Sequence, residues 1–437
     1  MSEVFFDRLL DVTGTRVAVV GMGRSGTSSY RLLSLLGDRL EKLDAYDDGL
    51  PNYPKFDFEL IEEKGYSSLV VSPGIPLGPF KSRVPEYCRL LNDIDISSFF
   101  IDHETIISVT GSVGKSTTTA LLGSALNVYF PNVFAGGNLG TPLSDYIYHK
   151  VTKGRSSPYL CVELSSFHLE NIHYFTSDYS IITYLLPNHL ERYASLEEYY
   201  RVKFQLLPIT RHQLFLNKRG GDLLSFWMQH QAELTSESEK TKVVLVDPAD
   251  LKDFPFHKAK LIGKHNQQNI AMVYAVLSRM LPDRDWITPI LDFPGLPHRQ
   301  EYVTNARGII YINDSKATTT ESVLQAVHNA CDLVSQGTVH LLLGGRDKNL
   351  DWERLSSLGQ LPRVKIYFFG EARHLIQKKS GLVGDTHPSL SDLLSFLKSK
   401  IKTGDLVLLS PGGTSHDEFR SFEERGDFFK SWVHSLS

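Results

Sequence analysis

The sequence predicts an α/β protein built from parallel strand–helix units. Short runs of β-branched and aliphatic residues alternate with longer helical patterns along the chain, and most of these runs end in Gly, Ser, Pro or Asp. Ligand-binding loops lie at such carboxyl ends of strands in open α/β sheets. The length of 437 residues exceeds what one hydrophobic core usually serves, so two or three domains are expected.

Buried strands are predicted where the aliphatic runs are most continuous. These runs cover residues 16–20, 69–71, 106–109, 160–164, 309–312, 339–343 and 406–409. Domain boundaries are expected near residues 98–105 and 295–299, where the pattern is interrupted before a new strand. Segment 220–242 is polar and is interpreted as a surface excursion.

Composition and charge argue against several classes of protein. The net charge of −4 gives no indication of nucleic-acid or membrane binding, since such partners usually need a clustered basic surface. Cys88, Cys161 and Cys331 lack CxxC spacing and are interpreted as reduced thiols. No stretch approaches the roughly 18 apolar residues of a membrane span, and positions 1–11 do not resemble a signal peptide. A cytoplasmic protein is therefore expected.

The strongest motif is a glycine-rich phosphate loop after the predicted strand 106–109. It consists of Gly111, Ser112, Val113, Gly114, Lys115, Ser116 and Thr117 and opens a helix. Glycines let backbone N–H groups approach a polyphosphate, and the helix N-terminus adds partial positive charge. Lys115 is expected to neutralise the outer phosphates and the Ser116 hydroxyl to bind Mg²⁺. Val109 replaces the first glycine of the full Walker pattern, and a glycine turn without a ligand is the alternative.

A second glycine-rich turn, GMGRSG at residues 21–26, also joins a predicted strand to a helix. Asp47 ends the next predicted strand, at the position where a Rossmann fold carries its acidic ribose ligand. A lone GxGxxG is also typical of tight strand–helix packing without a ligand. The turn is interpreted as a binding site for a nucleotide.

Two other strand ends carry candidate metal ligands. Glu163 closes the strand that follows the phosphate loop and is placed to reach Mg²⁺ directly or through water. Without the phosphate loop, a capping role would be equally acceptable. His189 follows the apolar run 179–186, and both a structural histidine and a metal ligand remain open for it.

The last third of the chain repeats the arrangement of strand, polar turn and helix in INDSKAT (312–318), GGRDK (344–348) and SPGGTS (410–415). Asp314 is a candidate acceptor for a ribose hydroxyl, and Lys316 and Thr318 are candidates for holding anions. Each segment alone is more typical of a solvated loop, yet three in one domain indicate a cleft for an acidic ligand. GKHN (263–266) begins a helix, whose amides either bind a ligand or are exposed.

Taken together, the motifs resemble the Mur ligase family. In chain order they are VVGMGRSG (19–26), SPGI (72–75), TGSVGKST (110–117), GGNLG (136–140), ELSSF (163–167), His189, Lys203, GKHN (263–266), GLPHR (295–299), NDSKAT (313–318) and SHDEF (415–419). They follow the family order and cover nearly the whole chain, which chance agreement does not explain.

The resemblance implies three domains and a two-step ligation. The implied domains are a Rossmann-like UDP-binding domain (1–101), a central P-loop ATPase domain with a mainly parallel sheet (102–298) and a Rossmann-like amino-acid-binding domain (299–437). ATP and Mg²⁺ would activate the alanyl carboxylate of UDP-N-acetylmuramoyl-L-alanine as an acyl phosphate, which the amine of D-glutamate attacks. A monomeric enzyme of peptidoglycan precursor synthesis is expected.

The resemblance also implies a role for each matching residue. The UDP end of the substrate would be held by Arg24, Ser25, Asp47 and Gly74, and its muramoyl part by Asn138. Adenine would face Asn266 and Asn269, the γ-phosphate Arg299 and the ribose Asp314. Lys115, His189 and Lys203 would be catalytic, and the metal ligands would be Ser116, Glu163, His189 and a carbamylated Lys203. D-Glutamate would be framed by Lys316, Thr318, Lys348, Ser415 and Phe422.

Some positions depart from the family pattern or reveal little by themselves. From the residues alone, Lys203 would be interpreted as a solvated helix lysine. Val113 replaces a polar residue, Asn188 stands where an Asp often precedes the histidine, and 412–414 replace an Ala-rich stretch. The first two departures bear on metal binding and the third on the shape of the amino-acid pocket.

Four alternatives to a D-glutamate ligase remain open from the sequence. A relative that adds a diamino acid typically carries an Asp-Asn-Pro-Arg motif, which this sequence lacks. Folylpolyglutamate synthetase-like enzymes lack the N-terminal nucleotide-binding segment. A nicotinamide-dependent oxidoreductase would leave the phosphate loop without a use. A non-catalytic nucleotide-binding protein would not need the set of lysines and acids described above.

Overall fold

The computed structural model describes residues 2–188, 192–236, 242–334 and 336–436. Within these residues, strands and helices alternate and the strands form three sheets, which confirms the α/β class. His189 lies outside the described residues, and so does the part of segment 220–242 that covers 237–241. Among the described residues, no helix has the length and apolar content needed to span a bilayer.

The strands lie close to the predicted positions. They are β1 (Arg16–Val20), β2 (Lys42–Tyr46), β3 (Ser68–Val71), β4 (Arg89–Leu91), β5 (Thr105–Thr110), β6 (Phe134–Gly137), β7 (Tyr159–Glu163), β8 (Ser177–Ile182), β9 (Thr210–Asn217), β10 (Lys242–Val246), β11 (Glu301–Ala306), β12 (Ile309–Asn313), β13 (Val339–Gly344), β14 (Val364–Phe369), β15 (Gly384–His387) and β16 (Leu406–Gly412). All seven predicted runs therefore coincide with strands to within a few residues at each end.

The helices connect most of these strands. They are α1 (Ser2–Thr13), α2 (Arg24–Ser34), α3 (Glu59–Lys64), α4 (Gly78–Arg83), α5 (Asp93–Ser98), α6 (Lys115–Asn127), α7 (Leu143–Lys153), α8 (Ser166–Leu169), α9 (Leu196–Phe204), α10 (Leu223–Ser236), α11 (Lys264–Met280), α12 (Ile287–Leu291), α13 (Thr320–Leu333), α14 (Arg373–Ser380), α15 (Leu390–Leu397) and α16 (Phe422–His434). Helix α11 begins within GKHN, as the sequence predicts.

The first sheet has the strand order β2-β1-β3-β4, and its neighbouring strands are parallel. Successive side chains of β1 enter different cores, since strand residues alternate between the two faces of a sheet. Val17 and Val19 pack with α1, α2 and α5, whereas Ala18 and Val20 pack on the opposite face. The arrangement places the GMGRSG turn at the carboxyl end of β1, with its last three residues in the first turn of α2.

The second sheet has the order β10-β9-β8-β5-β7-β6 and is parallel throughout. Strand β5 is flanked by β7 and β8, and α6 follows it through the phosphate loop. The carboxyl ends of β5, β7 and β8 therefore lie side by side. This edge of the sheet carries Gly111, Glu163 and Thr183.

The third sheet has the order β11-β12-β16-β13-β14-β15. Strand β11 pairs antiparallel with β12, and the remaining pairs are parallel. Leu341 and Leu343 face one core, and Leu342 faces the other. The carboxyl ends of β12, β13 and β16 carry the three polar turns predicted for the last third of the chain.

The chain divides into two compact units. We call them the N-terminal unit (Met1–Phe254 and Gln268–Ile290) and the C-terminal unit (Pro255–Gln267 and Leu291–Ser437). The first two sheets lie in the N-terminal unit and the third in the C-terminal unit. The division at residues 101 and 102 stays a prediction, as does the boundary near residue 298.

Two interpretations made from the sequence are wrong. Segment 220–242 contains helix α10, on which Leu223, Phe226 and Trp227 are buried in the core of the N-terminal unit. Their spacing gives the helix one apolar face, which the polar residues around it obscure in the sequence. Lys203 is not solvated, because its side chain is buried on helix α9.

Candidate active site

The phosphate loop is a tight backbone turn between β5 and α6 that only glycine fits at two positions. Gly111 and Gly114 have φ angles of +148° and +84°, which residues with a Cβ rarely adopt. A Cβ on Gly111 would lie 2.1 Å from Thr183 Oγ1, and one on Gly114 would lie 2.8 Å from Asn269 Oδ1. The loop is therefore packed against β8 and α11 of the same unit.

Hydroxyl groups from neighbouring segments hold the loop in this shape. Thr183 Oγ1 donates to the Val113 carbonyl at 2.6 Å and lies 3.1 Å from the Thr110 carbonyl. Ser112 Oγ lies 2.9 Å from the Leu186 carbonyl, and Tyr199 OH lies 3.1 Å from Ser112 Oγ. Since these contacts use carbonyls and side chains, they fix the loop independently of any phosphate. Val113 contributes through its backbone, so its apolar side chain does not disturb the turn.

Two lysines direct their ammonium groups at this loop. Lys115 Nζ donates to the Gly111 carbonyl at 2.8 Å and to the Ser112 carbonyl at 3.1 Å. Lys203 Nζ donates to the same Gly111 carbonyl at 3.1 Å. Burial lowers the pKa of Lys203 well below its usual value, the nearby Lys115 lowers it further, and Glu163 opposes the shift. Lys203 is thereby biased towards the neutral amine.

Glu163 is the buried acid of the site. Its Oε1 accepts a hydrogen bond from Asn138 Nδ2 at 2.7 Å, while its Oε2 has no hydrogen-bond partner among the described residues. The Asn138 backbone N–H donates to the Glu163 carbonyl at 2.9 Å. A buried carboxylate oxygen without a donor is costly unless a cation compensates it.

The donors at this edge of the sheet fit a hard divalent cation. The unsatisfied Oε2 of Glu163 and the buried Ser116 hydroxyl at the start of α6 are oxygen donors of the kind that Mg²⁺ prefers. Lys203 would fit only after its charge is removed. Of the four predicted metal ligands, these three lie in the described part of the site, and His189 lies outside it.

At the GMGRSG turn, Asp47 does not act as a free acid. Its Oδ2 accepts from the Met22 N–H at 2.6 Å, and its Oδ1 accepts from the N–H groups of Gly49 and Leu50 at 2.8 and 3.0 Å. These backbone donors hold the pKa of Asp47 below its usual value, the bond from Met22 contributing most. The carboxylate thus fastens the loop after β2 to the glycine-rich turn, which weakens the analogy with a dinucleotide site.

The residues predicted for the UDP end of the substrate line different cavities. Gly74 lines a cavity of about 860 Å³, together with residues of α4, α8 and α9. Arg24 lines a separate cavity of about 440 Å³ and donates to the Gly140 carbonyl at 2.9 Å. Ser25 follows Arg24 in the first turn of α2. The structure therefore does not bring Arg24 and Gly74 into one cavity.

In the C-terminal unit, the three polar turns are brought together by backbone hydrogen bonds. Gly412 N donates to the Ala317 carbonyl at 3.0 Å, and Gly413 N donates to the Gly344 carbonyl at 3.1 Å. Arg346 and Thr414 exchange two backbone hydrogen bonds of 2.9 Å. The three turns therefore meet, as a shared cleft requires, and the binding of an acidic ligand there stays a prediction.

Arg425 fastens these turns from inside the unit. Its guanidinium is 1% exposed. It donates to Ser315 Oγ at 3.0 Å, to the Ser315 carbonyl at 2.9 Å and to the carbonyls of Gly413 and Thr414 at 3.2 and 3.1 Å. Burial lowers the pKa of Arg425 to about 10. A buried arginine is compatible with folding here because its donors are satisfied by carbonyl and hydroxyl oxygens.

The predicted amino-acid ligands surround these turns. Lys316 Nζ lies 3.7 Å from the centre of the Phe422 ring, a cation–π contact. Ser415 is buried, whereas Lys316 and Lys348 are exposed and Thr318 is half-buried. The contacts that these residues make with an amino acid stay a prediction.

Asp314 is a buried acid in the same unit. It accepts from the Gln300 N–H at 3.1 Å and from Ser410 Oγ at 3.0 Å. Burial raises the pKa of Asp314 to about 7, against the lowering effect of these bonds and of Arg299. The group is therefore a weak acid that can donate or accept near neutral pH.

The residues predicted to contact ATP are divided between the two units. The loop 111–117 and Asn269 belong to the N-terminal unit, whereas Asn266, Arg299 and Asp314 belong to the C-terminal unit. Asn266 Nδ2 donates to the Ile262 carbonyl at 2.7 Å within the latter. The contacts that these residues make with a nucleotide stay a prediction.

Several residues that shape the site were missed by sequence reasoning. Thr183, Tyr199 and Arg425 hold loops through contacts that no local motif announces. Lys203 had a usable signal, because it shares one helix face with the buried residues Tyr199, Tyr200 and Phe204.

Comparisons with known proteins agree with this geometry. The family model described as Mur ligase middle domain matches residues 109–277. A relative from Syntrophus aciditrophicus (strain SB), named UDP-N-acetylmuramoylalanine–D-glutamate ligase, is 31% identical over 98% of this chain and 99% of its own. A relative of the same name from Desulfovibrio desulfuricans is 30% identical, and the alignment covers 97% of each chain.

Solved structures share the fold. UDP-N-acetylmuramate-alanine ligase MurC from Thermotoga maritima superposes with a TM-score of 0.54 at 16% identity, over 97% of this chain and 100% of the other. MurF ligase from Thermotoga maritima, solved in complex with ADP, has a TM-score of 0.56 at 14% identity, over 87% and 92%. The relatives that match nearly the whole chain at 30% identity or more show more than a shared fold. The chain belongs to the Mur ligase family of enzymes.

Proposed function

We propose that the chain joins D-glutamate to UDP-N-acetylmuramoyl-L-alanine, using ATP, in peptidoglycan precursor synthesis. The observation that carries this proposal is the end-to-end similarity to relatives named for that reaction, at 31% identity over 98% of the chain. The geometry adds support, because the phosphate loop lies with the buried Glu163 and with Lys115 and Lys203 at one edge of the second sheet.

The first step transfers the γ-phosphoryl group of ATP to the alanyl carboxylate. A carboxylate oxygen forms a bond to phosphorus, the bond to the β-phosphate oxygen breaks, and ADP leaves. The loop offers its N–H groups and the N-terminus of α6 to the phosphates. In the structure, Lys115 donates hydrogen bonds to two carbonyls of the loop. During the reaction, its ammonium group turns to the transferred phosphoryl group and neutralises the charge that develops there.

Mg²⁺ fits this site and, when bound, neutralises phosphate charge. Ser116 and Glu163 would hold it, and Lys203 would join them as a carbamate. The lowered pKa of Lys203 supports this modification, since only a neutral amine reacts with CO₂. The product is a carbamate anion, formed with release of a proton, which places a negative charge beside Lys115. His189 is the remaining ligand in the proposal.

In the second step the amine of D-glutamate attacks the acyl carbon. A C–N bond forms, the bond to phosphate breaks, and the amine loses a proton as inorganic phosphate leaves. His189 is proposed to lie close to this amine. The C-terminal unit holds the amino acid, with Lys316 and Lys348 on its two carboxylates and Thr318, Ser415 and Phe422 around it. A substrate that lacks one carboxylate would lose one of these two ion pairs, which favours discrimination.

The test is an amino-acid panel assayed with ATP, Mg²⁺ and UDP-N-acetylmuramoyl-L-alanine. Phosphate and ADP should form in equal amounts with D-glutamate, and more slowly by orders of magnitude with L-glutamate, D-alanine or a diamino acid. Turnover with a different amino acid would instead identify a Mur-type ligase of another step. Hydride transfer from a nicotinamide cofactor without phosphate release would indicate an oxidoreductase.

The proposal includes a monomeric chain that works in the cytoplasm. Sedimentation of the active enzyme at assay concentration should give one species of the chain mass. A concentration-dependent dimer would contradict that part of the proposal and leave the assigned chemistry unaffected.

A further inference from the structure

Arg192 makes an unusual set of contacts in the N-terminal unit. It lies between β8 and α9, three positions after His189. Its Nη1 donates to the Pro73 carbonyl at 3.1 Å, and its Nη2 donates to the Ile75 carbonyl at 3.1 Å. The guanidinium therefore holds the backbone on both sides of Gly74, in the loop that follows β3.

Glu170 and Phe167 hold the guanidinium in this position. Nε and Nη2 donate to the two carboxylate oxygens of Glu170 at 3.0 and 2.8 Å, a bidentate pair. The guanidinium also lies 3.9 Å from the centre of the Phe167 ring. The side chains of Arg192 and Glu170 are only 11% and 10% exposed. Such a pair is strong and directional because both charges are largely removed from water.

These contacts place three segments in one fixed arrangement. They are the loop 72–75 after β3, the segment around α8, which begins three residues after Glu163, and the described segment that begins at Arg192 and leads into α9. Gly74 itself stays open, since a Cβ there would meet no atom within 4 Å, and the residue lines the cavity of about 860 Å³. Arg192 also lines that cavity. The loop thus presents an unobstructed glycine whose flanking carbonyls are both held.

We infer that Arg192 is a positioning residue for the UDP-linked substrate. It holds the loop around Gly74 at a set position relative to the carboxyl ends of the strands in the second sheet. Arg192 does not itself take part in the chemistry. The inference rests on the proposed function for the identity of the ligand, and on the family resemblance for the expectation that Gly74 holds its UDP end. Only a guanidinium can make all four of these hydrogen bonds, because its N–H groups point in different directions within one plane.

The consequence is a selective effect on one substrate. Without Arg192, the loop 72–75 keeps its sequence but loses the two donors that fix its carbonyls. Binding of the UDP-linked substrate should weaken about tenfold to a hundredfold, the size expected for misplacement of a remote binding group. Nucleotide binding at the phosphate loop should change little, since the hydrogen bonds of Arg192 go to Pro73, Ile75 and Glu170.

The experiment compares Arg192→Gln, Arg192→Lys and Glu170→Gln with Arg201→Gln in the full chain. Arg201 is a matched control, because this α9 residue forms a bidentate pair with Glu233 of α10 in the same unit, far in sequence from the loop 72–75. Hydrogen exchange of the Ser72, Gly74 and Ile75 amides is measured on the protein alone, since Pro73 and Pro76 have no N–H. Calorimetry gives the dissociation constant for UDP-N-acetylmuramoyl-L-alanine, and steady-state kinetics give the KM for ATP.

Arg192→Gln and Arg192→Lys should speed exchange in the loop and raise the dissociation constant of the UDP-linked substrate, with the KM for ATP within about twofold of wild type. Glu170→Gln should give a smaller effect of the same pattern, and Arg201→Gln none. Lysine should fail to restore binding, because its ammonium group cannot bridge both carbonyls and a carboxylate.

Unchanged exchange in the loop would overturn the inference, and so would equal increases in the constants for all substrates. A lower melting temperature with unaltered constants would reduce Arg192 to a structural role and also overturn it. Failure of the proposed function is distinguishable, because the wild-type enzyme would then not bind or turn over the UDP-linked substrate. The exchange measurement tests the positioning of the loop in either case.

Discussion

Lys115 and Lys203 show how strongly the environment changes one residue type. Both ammonium groups lie on the Gly111 carbonyl, yet only Lys203 is buried. Two like charges close together in a low dielectric repel each other, and the buried one loses its proton more readily. Lys203 is thereby biased towards the neutral amine, whereas Lys115 is only half-buried. The proposed roles of the two lysines, as phosphate ligand and as carbamylated metal ligand, follow this difference.

Lys115→Ala should abolish phosphoryl transfer. Removing the cation leaves the charge of the transferred group uncompensated, and we expect ADP formation to fall by at least about a hundredfold. The assay is ADP release with the UDP-linked substrate and ATP. Lys153→Ala, which removes an exposed lysine of the same unit, should leave the rate unchanged. ADP production at the wild-type rate in Lys115→Ala would refute the role.

Asp314 should make the stability of the C-terminal unit depend on pH. Its pKa is about 7 in the folded chain, against about 3.9 when unfolded. Between these values the folded unit keeps a proton that the unfolded chain releases. Its contribution is complete below about pH 4 and is lost as the pH rises to about 7, by up to about 1.4 kcal/mol per pH unit.

Asp314→Asn removes this titration, so the difference between variant and wild type isolates it from other groups. Urea unfolding of both proteins between pH 4.5 and 7.5 is the measurement. The free energy of unfolding of wild type should fall relative to that of the variant as the pH rises. Two curves that stay parallel over this window would mean that Asp314 has an ordinary pKa.

At the scale of elements, helix α2 is held close to β1 by a glycine in its first turn. A Cβ on Gly26 would lie 1.8 Å from the Gly21 carbonyl oxygen and 2.8 Å from Ser72 Oγ. Ser72 Oγ already donates to that carbonyl at 2.6 Å. Gly26 therefore sets the distance between helix, turn and the loop after β3, which is the packing role of the third glycine in such turns.

Gly26→Ala should push α2 away from β1 and destabilise the N-terminal unit by about 1–3 kcal/mol. Gly23→Ala is the matched control in the same turn, since its φ is −65° and a Cβ there meets no atom within 4 Å. Thermal unfolding followed by circular dichroism compares the two. Equal melting temperatures would show that the turn relaxes without cost.

At the scale of the whole molecule, each unit has its own cores. Leu160 is fully buried in the N-terminal unit and Leu342 in the C-terminal unit. A unit with its own hydrophobic core can unfold as a separate cooperative block. The stability of each unit is then a property of its own packing.

We expect calorimetry to resolve two unfolding transitions. Leu160→Ala should lower only one of them and Leu342→Ala only the other, each by the equivalent of about 2–5 kcal/mol. The unchanged transition in each variant serves as the internal control. A single transition that moves with either substitution would show that the chain unfolds as one block.

The sequence by itself determined the alternation of strands and helices, the positions of the strands and the order of the family motifs. These features depend on local spacing, and strand ends with glycine turns are local signals. The meeting of the three polar turns also followed, because the carboxyl ends of parallel strands share one edge of a sheet. Where a local signal was masked by polar neighbours, as in helix α10, the prediction failed.

Only the tertiary structure decided which polar groups are buried and what they contact. Lys203 reaches Gly111 across 92 residues of sequence, and Arg192 reaches Pro73 across 119. The carboxylate of Asp47 accepts hydrogen bonds from backbone N–H groups, and Arg24 and Gly74 line different cavities. Burial, and with it the pKa of a lysine or an aspartate, is set by segments distant in the chain, so no local pattern specifies it.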